Sequence, residues 1–178
     1  MYYRTKKQVV RIRYFYFILG AILGLSVGMM SQKLSAFDEN GEAVCLAKNI
    51  YFEAGNQPLA GKLAVAHVVK NRVESWQFPN TYCDVIHETK EWRTSWTGNV
   101  IPKLGMCQFS WFCDGKSDEP KDSKTWEECL SIAQSFIKEP NAIDITEGAM
   151  WYHADYILPY WAEHLNETVY INNHIFYK

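Results

Sequence analysis

One glutamate has the sequence surroundings that a catalytic acid needs. Glu53 follows Ile50, Tyr51 and Phe52 at the C-terminal end of a strongly patterned helix, one residue before Ala54. Apolar neighbours desolvate a carboxyl group and raise its pKa, which suits a general acid at neutral pH. A solvated glutamate at a helix end is the competing interpretation, and spacing alone favours it.

The histidines and cysteines show no metal motif. The chain has five of each, but no pair has the spacing of a structural zinc site, so we predict no metal and no cofactor. Two other sites stay open. A zinc amidase would use His153, Asp155 and His174. A cysteine peptidase would pair Cys107 or Cys113 with His153.

Two segments early in the main body have the apolar spacing of helices. Asp38 or Asn40 is expected to cap the first, which ends at Gly55. Pro58 suits the first turn of the second, which runs to Val73. The candidate acid therefore stands at the end of the first helix.

The rest of the body predicts one more helix, a long loop and a small sheet. Ser123 is expected to cap a helix that continues to Ile137. Residues 91–121 have no sustained period, which indicates a substrate-facing loop with a short hairpin. Residues 149–153 and 169–177 are rich in aromatic and β-branched side chains and are predicted strands. The fold class is therefore α+β, with helices first and a small sheet late.

Charge is divided unevenly along the chain. Residues 1–33 carry six basic side chains and no acidic one, whereas the remainder carries 12 basic and 20 acidic, a net charge of −8. An acidic body repels polyphosphate, so we predict no nucleic-acid partner. With 48% hydrophobic and 21% charged residues, the chain can bury a core.

The N-terminal segment predicts a membrane anchor. Residues 14–32 are 19 consecutive uncharged residues, and a helix of that length, about 28 Å, spans the hydrocarbon core of a membrane. The basic side chains before it place residues 1–13 in the cytoplasm. Residues 33–42 are then a linker, and residues 43–178 are a catalytic domain in the periplasm or extracytoplasmic space. The alternative is a cleaved signal peptide and a secreted protein.

Three glycines in this span, Gly20, Gly24 and Gly28, fall four residues apart. The spacing puts them on one helix face, where close packing against a second copy would form a weak homodimer. Glycine is also common in membrane spans, which is the simpler interpretation.

Several sequence blocks occur in order across residues 43–177, essentially the whole body. The central block is Cys107-Gln-Phe-Ser-Trp-Phe-Cys-Asp-Gly. The other blocks are Cys45-Leu-Ala-Lys-Asn-Ile-Tyr-Phe-Glu-Ala, Gly61-Lys-Leu-Ala-Val-Ala-His-Val-Val-Lys-Asn-Arg-Val, Phe78-Pro-Asn-Thr, Trp151-Tyr-His-Ala-Asp-Tyr, Pro159-Tyr-Trp-Ala and Asn173-His-Ile-Phe-Tyr. Together these blocks resemble the SleB-type cell-wall hydrolases, the family of the spore cortex-lytic enzymes.

The resemblance implies a peptidoglycan-cleaving enzyme with a lysozyme-like α+β fold, related to the lytic transglycosylases. In the family the glutamate of the first block is the catalytic acid, which maps onto Glu53. The family commonly has Glu-Ala-Arg-Gly-Glu-Pro where this chain has Glu53-Ala-Gly-Asn-Gln-Pro. Gln57 therefore stands where the family has a second glutamate, and no role of that carboxylate carries over.

Peptidoglycan glycan strands are thus the expected partner, and the bond between MurNAc and GlcNAc is the expected target. A lytic transglycosylase needs one acid/base, which is Glu53, whereas most glycoside hydrolases use two carboxylates. Asp114 and Asp118 are candidates for a second carboxylate, so a hydrolytic muramidase stays open. Amide cleavage is a further alternative, and so is an inactive, membrane-anchored module that only binds peptidoglycan.

Substrate contacts are expected from two of the blocks, because stacking rings and side-chain amides suit sugars. The central block supplies Gln108, Phe109 and Ser110. A closing block supplies Tyr152, His153 and Tyr156. Large aromatic side chains such as Phe109 also pack in cores, and that interpretation stays open here.

In an oxidising compartment, the cysteines favour disulfide bonds. A bond between Cys107 and Cys113 is predicted to hold the loop of the central block. A second, between Cys45 and Cys83, would tie the first helix to the end of the second and leave Cys129 free.

Overall fold

The computed structural model describes residues 41–178, and the predicted anchor, its glycines and the caps at Asp38 and Asn40 lie outside them. The helices are α1 (residues 41–54), α2 (Leu59–Glu74), α3 (Tyr82–Ile86) and α4 (Ser123–Lys138). The strands are β1 (Trp92–Thr94), β2 (Val100–Pro102), β3 (Trp151–Ala154), β4 (Glu167–Ile171) and β5 (His174–Tyr177). Among the described residues, no helix is long and apolar enough to cross a membrane.

The main core lies where the four helices meet. Each contributes fully buried apolar side chains, among them Ile50, Val69, Ile86 and Ala133. Full burial of an aliphatic side chain of the size of valine or leucine stabilises the fold by about 1.5–3 kcal/mol. This core holds α1, and therefore the candidate acid at its end, against the rest of the domain.

The cysteine predictions are confirmed. Cys45 on α1 is bonded to Cys83 on α3, and Cys107 is bonded to Cys113. Cys129 on α4 is buried and free. The first bond joins two helices that are 38 residues apart in sequence, whereas the second closes a short loop before α4.

The late strands form a small antiparallel sheet with the order β3-β5-β4. Phe176 on its central strand is fully buried against Ala64 and Val68 of α2, which forms a second core. β1 and β2 form a separate hairpin within the predicted loop. The predicted α+β class, with helices first and a small sheet late, is confirmed.

The two faces of β3 carry different side chains. Tyr152 is paired with Phe176, and the two rings lie 5.5 Å apart on the face that packs against α2. Trp151 is paired with Tyr177 on the opposite face, since successive side chains of a strand alternate in direction. Adjacent residues of one strand therefore reach two separate environments.

Two sequence predictions about the elements were wrong. Residues 169–177 are not one strand but the hairpin β4–β5, which turns at Asn172 with a φ of 52°. Asparagine tolerates this left-handed conformation better than most residues. Asp122, not Ser123, caps α4, because its extended backbone lets its carboxylate accept the backbone N–H of Thr125 at 2.7 Å.

Candidate active site

Glu53 lies in the last turn of α1, next to the point where the helix ends. The chain leaves the helix at Gly55, where a Cβ atom would collide with the carbonyl oxygen of Tyr51. The Glu53 side chain is partly buried, and burial raises the pKa of its carboxyl group. A carboxyl group with a raised pKa keeps its proton closer to neutral pH and can act as an acid.

Tyr152 supplies the direct hydrogen-bond partner of this carboxyl group. Its hydroxyl donates to Glu53 Oε2 at 3.0 Å from the middle of β3. Burial raises the pKa of Tyr152 well above its ordinary value, so the hydroxyl keeps its proton. The hydrogen bond stabilises the ionised form of Glu53 and opposes the effect of burial on its pKa.

Arg72 supplies a positive charge behind this pair. Its side chain is only 4% exposed, and its guanidinium carbon lies 5.2 Å from the centres of both the Phe78 and the Phe109 rings. Burial lowers the pKa of Arg72, and the nearby Glu53 carboxylate counteracts this. In turn, the charge of Arg72 lowers the pKa of Glu53. Glu53 is thus placed so that it can both give and retake a proton.

The C-terminal half of α2 positions β3, and with it Tyr152. Asn71 donates to the carbonyl oxygen of Ala149 at 2.9 Å, and Arg72 Nε donates to that of Met150 at 2.7 Å. These bonds fix the backbone immediately before β3. Glu53 on α1 and its partner Tyr152 on β3 are therefore both held in place by the same helical core.

Asp144 braces the turn that leads into β3. Its carboxylate accepts from Asn71 Nδ2 at 2.9 Å and from the backbone N–H groups of Thr146 and Gly148 at 2.8 and 2.7 Å. Burial alone would raise the pKa of Asp144, but the hydrogen bonds together hold it below its ordinary value. Gly148 adopts a φ of 84°, which lets the chain turn toward β3.

A cleft of about 460 Å³ lies beside Trp151, on the face of β3 that Tyr152 does not share. The rings of Trp151 and Trp161 line it, together with the polar side chains of Lys90, Gln108 and His164. Glu53 is not among its lining residues. Glu53 and the cleft therefore do not share a cavity. They are connected through β3, which carries both Tyr152, the partner of Glu53, and Trp151, a residue of the cleft.

The comparison with family models identifies the chain. Residues 56–177, about two thirds of its length, match the model described as Cell Wall Hydrolase. The chain belongs to the cell wall hydrolase family. The match begins three residues after Glu53, so the family model does not include this residue, and its catalytic role stays a prediction from the first block. The predicted cell-wall lytic enzyme is confirmed, and the alternative of an inactive binding module is not supported.

Two solved structures share the fold of this cell wall hydrolase. The catalytic domain of the Bacillus cereus SleB protein is 26% identical, with a TM-score of 0.53 over 78% of this chain and 91% of that one. The catalytic domain of SleB from Bacillus anthracis, described as a germination-specific lytic transglycosylase, is 27% identical, with a TM-score of 0.55 over 77% and 93%. The predicted resemblance to SleB-type hydrolases is confirmed. No curated protein sequence matches the chain.

The predicted substrate-binding residues of the central block separate in the structure of this cell wall hydrolase. Gln108 is exposed and lines the cleft, and Ser110 is also exposed. Phe109 is 3% exposed and packs under Arg72, so its ring belongs to the core and offers no face to a sugar. Tyr156 follows β3 and is 82% exposed, without a contact that assigns it to the site.

His153 is buried and its ring nitrogens are engaged within the fold. Nδ1 lies 2.9 Å from the carbonyl oxygen of Ala154, and Nε2 lies 3.0 Å from the Tyr177 hydroxyl. The ring also stacks on that of Tyr177. Both nitrogens therefore have partners within the sheet, Nδ1 in β3 itself and Nε2 on β5, and the sugar contact of His153 stays a prediction. Tyr152, by contrast, reaches the candidate acid.

The two rival sites do not assemble. His153 and His174 project from opposite faces of the sheet, and Asp155 accepts a hydrogen bond from the Tyr170 hydroxyl at 2.7 Å. Within residues 41–178, no three His, Cys, Asp or Glu side chains lie together as metal ligands would. The cysteines at 107 and 113 are bonded to each other, so neither is a free thiolate nucleophile.

The candidate second carboxylates lie in other surroundings. Asp114 is exposed and pairs with Lys116 at 3.3 Å. The charges that act on Asp118 come from Lys48, Asp114, His87 and Glu119. Neither aspartate is among the groups that shift the pKa of Glu53.

Sequence reasoning missed Arg72 and the two basic side chains of the cleft, Lys90 and His164. Arg72 stands in the second family block, but nothing in the helical pattern shows that it turns inward between two aromatic rings. Lys90 and His164 are 74 positions apart, and only the packing of the loop against the sheet brings them to one cleft.

Proposed function

We propose that this cell wall hydrolase cleaves the glycosidic bond between MurNAc and GlcNAc as a lytic transglycosylase, with Glu53 as its single acid and base. The observation that carries the proposal is the environment of Glu53. Burial raises the pKa of the carboxyl group, while Tyr152 and Arg72 stabilise its ionised form. A group under these opposing influences can exist in both protonation states during one turnover.

In the first step, the protonated Glu53 delivers its proton to the glycosidic oxygen. The bond between C1 of MurNAc and that oxygen breaks, the GlcNAc residue leaves as an alcohol, and positive charge develops at C1. Glu53 is left as a carboxylate. The Tyr152 hydroxyl already donates to Oε2, and the Arg72 charge stabilises the carboxylate electrostatically.

In the second step, the same carboxylate takes the proton from the C6 hydroxyl of MurNAc. The C6 oxygen then bonds to C1 and closes a 1,6-anhydro ring. This oxygen takes the place of the water molecule that would attack C1 in hydrolysis. Glu53 is protonated again and ready for another turnover. One carboxyl group is sufficient for both proton transfers.

The surroundings of Asp114 and Asp118 support this mechanism over hydrolysis. A hydrolase of the common type places its two carboxyl groups on either side of the bond, about 5–10 Å apart. Asp114 is exposed and paired with Lys116, and in residues 41–178 the side-chain hydrogen bond to the Glu53 carboxyl group comes from Tyr152 and not from either aspartate. The similarity to a SleB that is described as a lytic transglycosylase points in the same direction.

Product analysis tests the proposal. Digests of peptidoglycan by the wild-type protein should contain 1,6-anhydro-muropeptides, which are lighter by one water than products with reducing ends. Digests with reducing MurNAc ends alone would make the enzyme a hydrolytic muramidase. Released peptides with an intact glycan would make it an amidase and contradict the role of Glu53.

We further propose that residues 14–32 anchor the enzyme in the membrane with the catalytic domain outside the cytoplasm. The uncharged run and its basic flank support this, and so do the two disulfide bonds, which persist mainly in oxidising compartments. The full chain should stay with membranes after carbonate extraction, whereas residues 34–178 alone should be soluble. Full-length protein that is extracted by carbonate would contradict the anchor.

A further inference from the structure

The cleft beside Trp151 is basic, although the body of the protein is acidic. Lys90 and His164 line it with Gln108, and none of its lining residues within the described chain carries a carboxylate. The body from residue 34 onward has a net charge of −8. The cleft therefore lacks the acidic side chains that are common in the rest of the body. This local difference in charge favours an anionic ligand.

The ammonium group of Lys90 is also free. Its sequence neighbour Glu91 is paired with Lys103 at 2.6 Å, so it does not neutralise Lys90. No residue in the range 41–178 forms an ion pair with Lys90. Among the described residues, carboxylates pair with Lys48, Lys62, Lys70 and Lys116 but with none of Lys121, Lys124, Lys138 and Lys178. Lys90 is therefore distinguished by its place in the cleft rather than by its lack of a partner.

The remaining walls of the cleft fit a peptide. The rings of Trp151 and Trp161 give apolar surfaces, and the side chains of Gln108 and His164 can form hydrogen bonds with amide groups. The volume of about 460 Å³ lies in the range of sites that hold small organic ligands. Apolar walls beside the unpaired ammonium group of Lys90 suit a peptide that has short side chains and a free carboxylate.

We propose that this cleft binds a carboxylate of the peptide stem that branches from MurNAc, with Lys90 as its cationic partner. The inference rests on the proposed function, because that function places the glycan at Glu53. Tyr152 and Trp151 are neighbours on β3, so a glycan strand at Glu53 has the cleft on the other side of the same strand. The stem peptide would pass along that side and carry its carboxylate to Lys90.

Binding by the inactive variant Glu53→Gln tests the proposal without requiring catalysis. The two probes are intact peptidoglycan and the same glycan after an amidase has removed its stem peptides. In this background, Lys90→Met should weaken binding of intact peptidoglycan about tenfold, because a charge-assisted contact of about 1.4 kcal/mol corresponds to that factor. Binding of the peptide-free glycan should change less than about twofold.

Two further variants act as controls. Lys90→Arg keeps the positive charge and should retain most of the affinity for intact peptidoglycan. Lys124→Met removes one charge from the exposed start of α4 and should leave both affinities unchanged. Equal weakening by Lys124→Met and Lys90→Met would show that only total charge matters and would overturn the proposal.

Chemical modification of the substrate separates the possible anions. Amidation of the stem carboxylates should abolish the difference in peptidoglycan affinity between the proteins with Lys90 and with Lys90→Met. Removal of wall phosphate polymers by acid extraction should preserve that difference. If the difference disappears with the phosphate, or if Lys90→Met weakens binding of peptide-free glycan to the same extent, the cleft is not a peptide site. These outcomes are independent of the product analysis, which alone decides the proposed cleavage.

Discussion

The two faces of β3 place successive side chains in different surroundings. On one face, Tyr152 reaches across the core to Glu53, in a desolvated setting where a proton can be held or released. On the other face, Trp151 lines an open cleft with exposed polar side chains. The difference shows how the alternation of side chains along a strand places one residue in a buried setting and its neighbour beside an open cleft. If the proposed function is right, this alternation separates proton transfer from substrate contact.

Glu53 and the cleft are each connected to a different disulfide bond. Cys45–Cys83 fastens α1, which carries Glu53, to α3. Cys107–Cys113 fastens the loop that borders the cleft, and Cys107 itself lines the cleft. Variants on the Glu53 face should therefore alter the chemical step or the global stability, and variants on the cleft face should alter substrate affinity.

The largest effect is expected from Glu53→Gln. The amide keeps the size of the side chain and can still accept from Tyr152, but it cannot protonate the glycosidic oxygen. Since general acid–base assistance is worth about 10²–10⁴-fold in rate, lytic activity on purified cell walls should fall by at least about 10²-fold. Glu127→Gln on the exposed side of α4 is the matched control and should keep full activity.

The same variant should not lose stability at neutral pH. A carboxyl group with a raised folded-state pKa favours the folded state while it is protonated, and this contribution is lost as the pH rises through that pKa. Glu53→Gln removes the cost of the buried carboxylate above that pH. Its melting temperature at pH 7 should equal or exceed that of the wild type, and a clear decrease would contradict the burial argument.

The two disulfide bonds should differ in their effect on stability. Loop-closure entropy predicts a loss of about 4 kcal/mol when Cys45 and Cys83 are both changed to Ser, and about 2 kcal/mol for Cys107 and Cys113. Denaturant unfolding of the two double variants measures the difference. An equal loss of stability in the two double variants would contradict the expected difference between the two bonds.

A smaller effect on rate is expected from Tyr152→Phe. Loss of the hydrogen bond to the charged form of Glu53 should lower kcat about tenfold on soluble glycan fragments. Because that bond lowers the pKa of Glu53, its removal raises the pKa further, and the alkaline limb of the kcat–pH profile should move to higher pH. Tyr160→Phe on the exposed loop after β3 should leave the profile in place.

The smallest effect is expected on the other face of the strand, from Trp151→Leu. Loss of one aromatic contact should raise KM about three- to tenfold and leave kcat nearly unchanged. Trp151→Phe, which keeps a ring, should restore most of the affinity. A decrease in kcat with an unchanged KM would show that the cleft belongs to the chemical step and would remove the separation of the two faces.

Much of the fold could be predicted from local sequence. The apolar periodicity of α4, the break after Ala54 and the bond between Cys107 and Cys113 all follow from neighbouring residues, whereas α2 is buried on nearly all sides and has little one-sided periodicity. The strand boundaries were less predictable. Residues 169–177 have uniform β propensity, and only the left-handed conformation of Asn172 divides them into two strands.

The candidate acid illustrates what the sequence by itself determined. Glu53 and its apolar neighbours are adjacent in the chain, so a helix end beside apolar residues is visible from local pattern. The local pattern did not decide whether its carboxyl group is buried, and the catalytic role is what the resemblance of the first block implies. Its partners come from distant segments. Tyr152 is 99 positions away, and Arg72 reaches the site from the far end of the next helix.

Only the tertiary structure decided which polar side chains are available to a ligand. His153 and Gln108 can both form hydrogen bonds, but the ring nitrogens of His153 contact Ala154 of the same strand and Tyr177 of β5, whereas the loop leaves Gln108 exposed. Lys90 and His164 meet at one cleft for the same reason. Local pattern predicts helices because their periodicity depends on nearby residues, whereas the burial and partners of a side chain, including the bond between Cys45 and Cys83, depend on which distant segments pack around it.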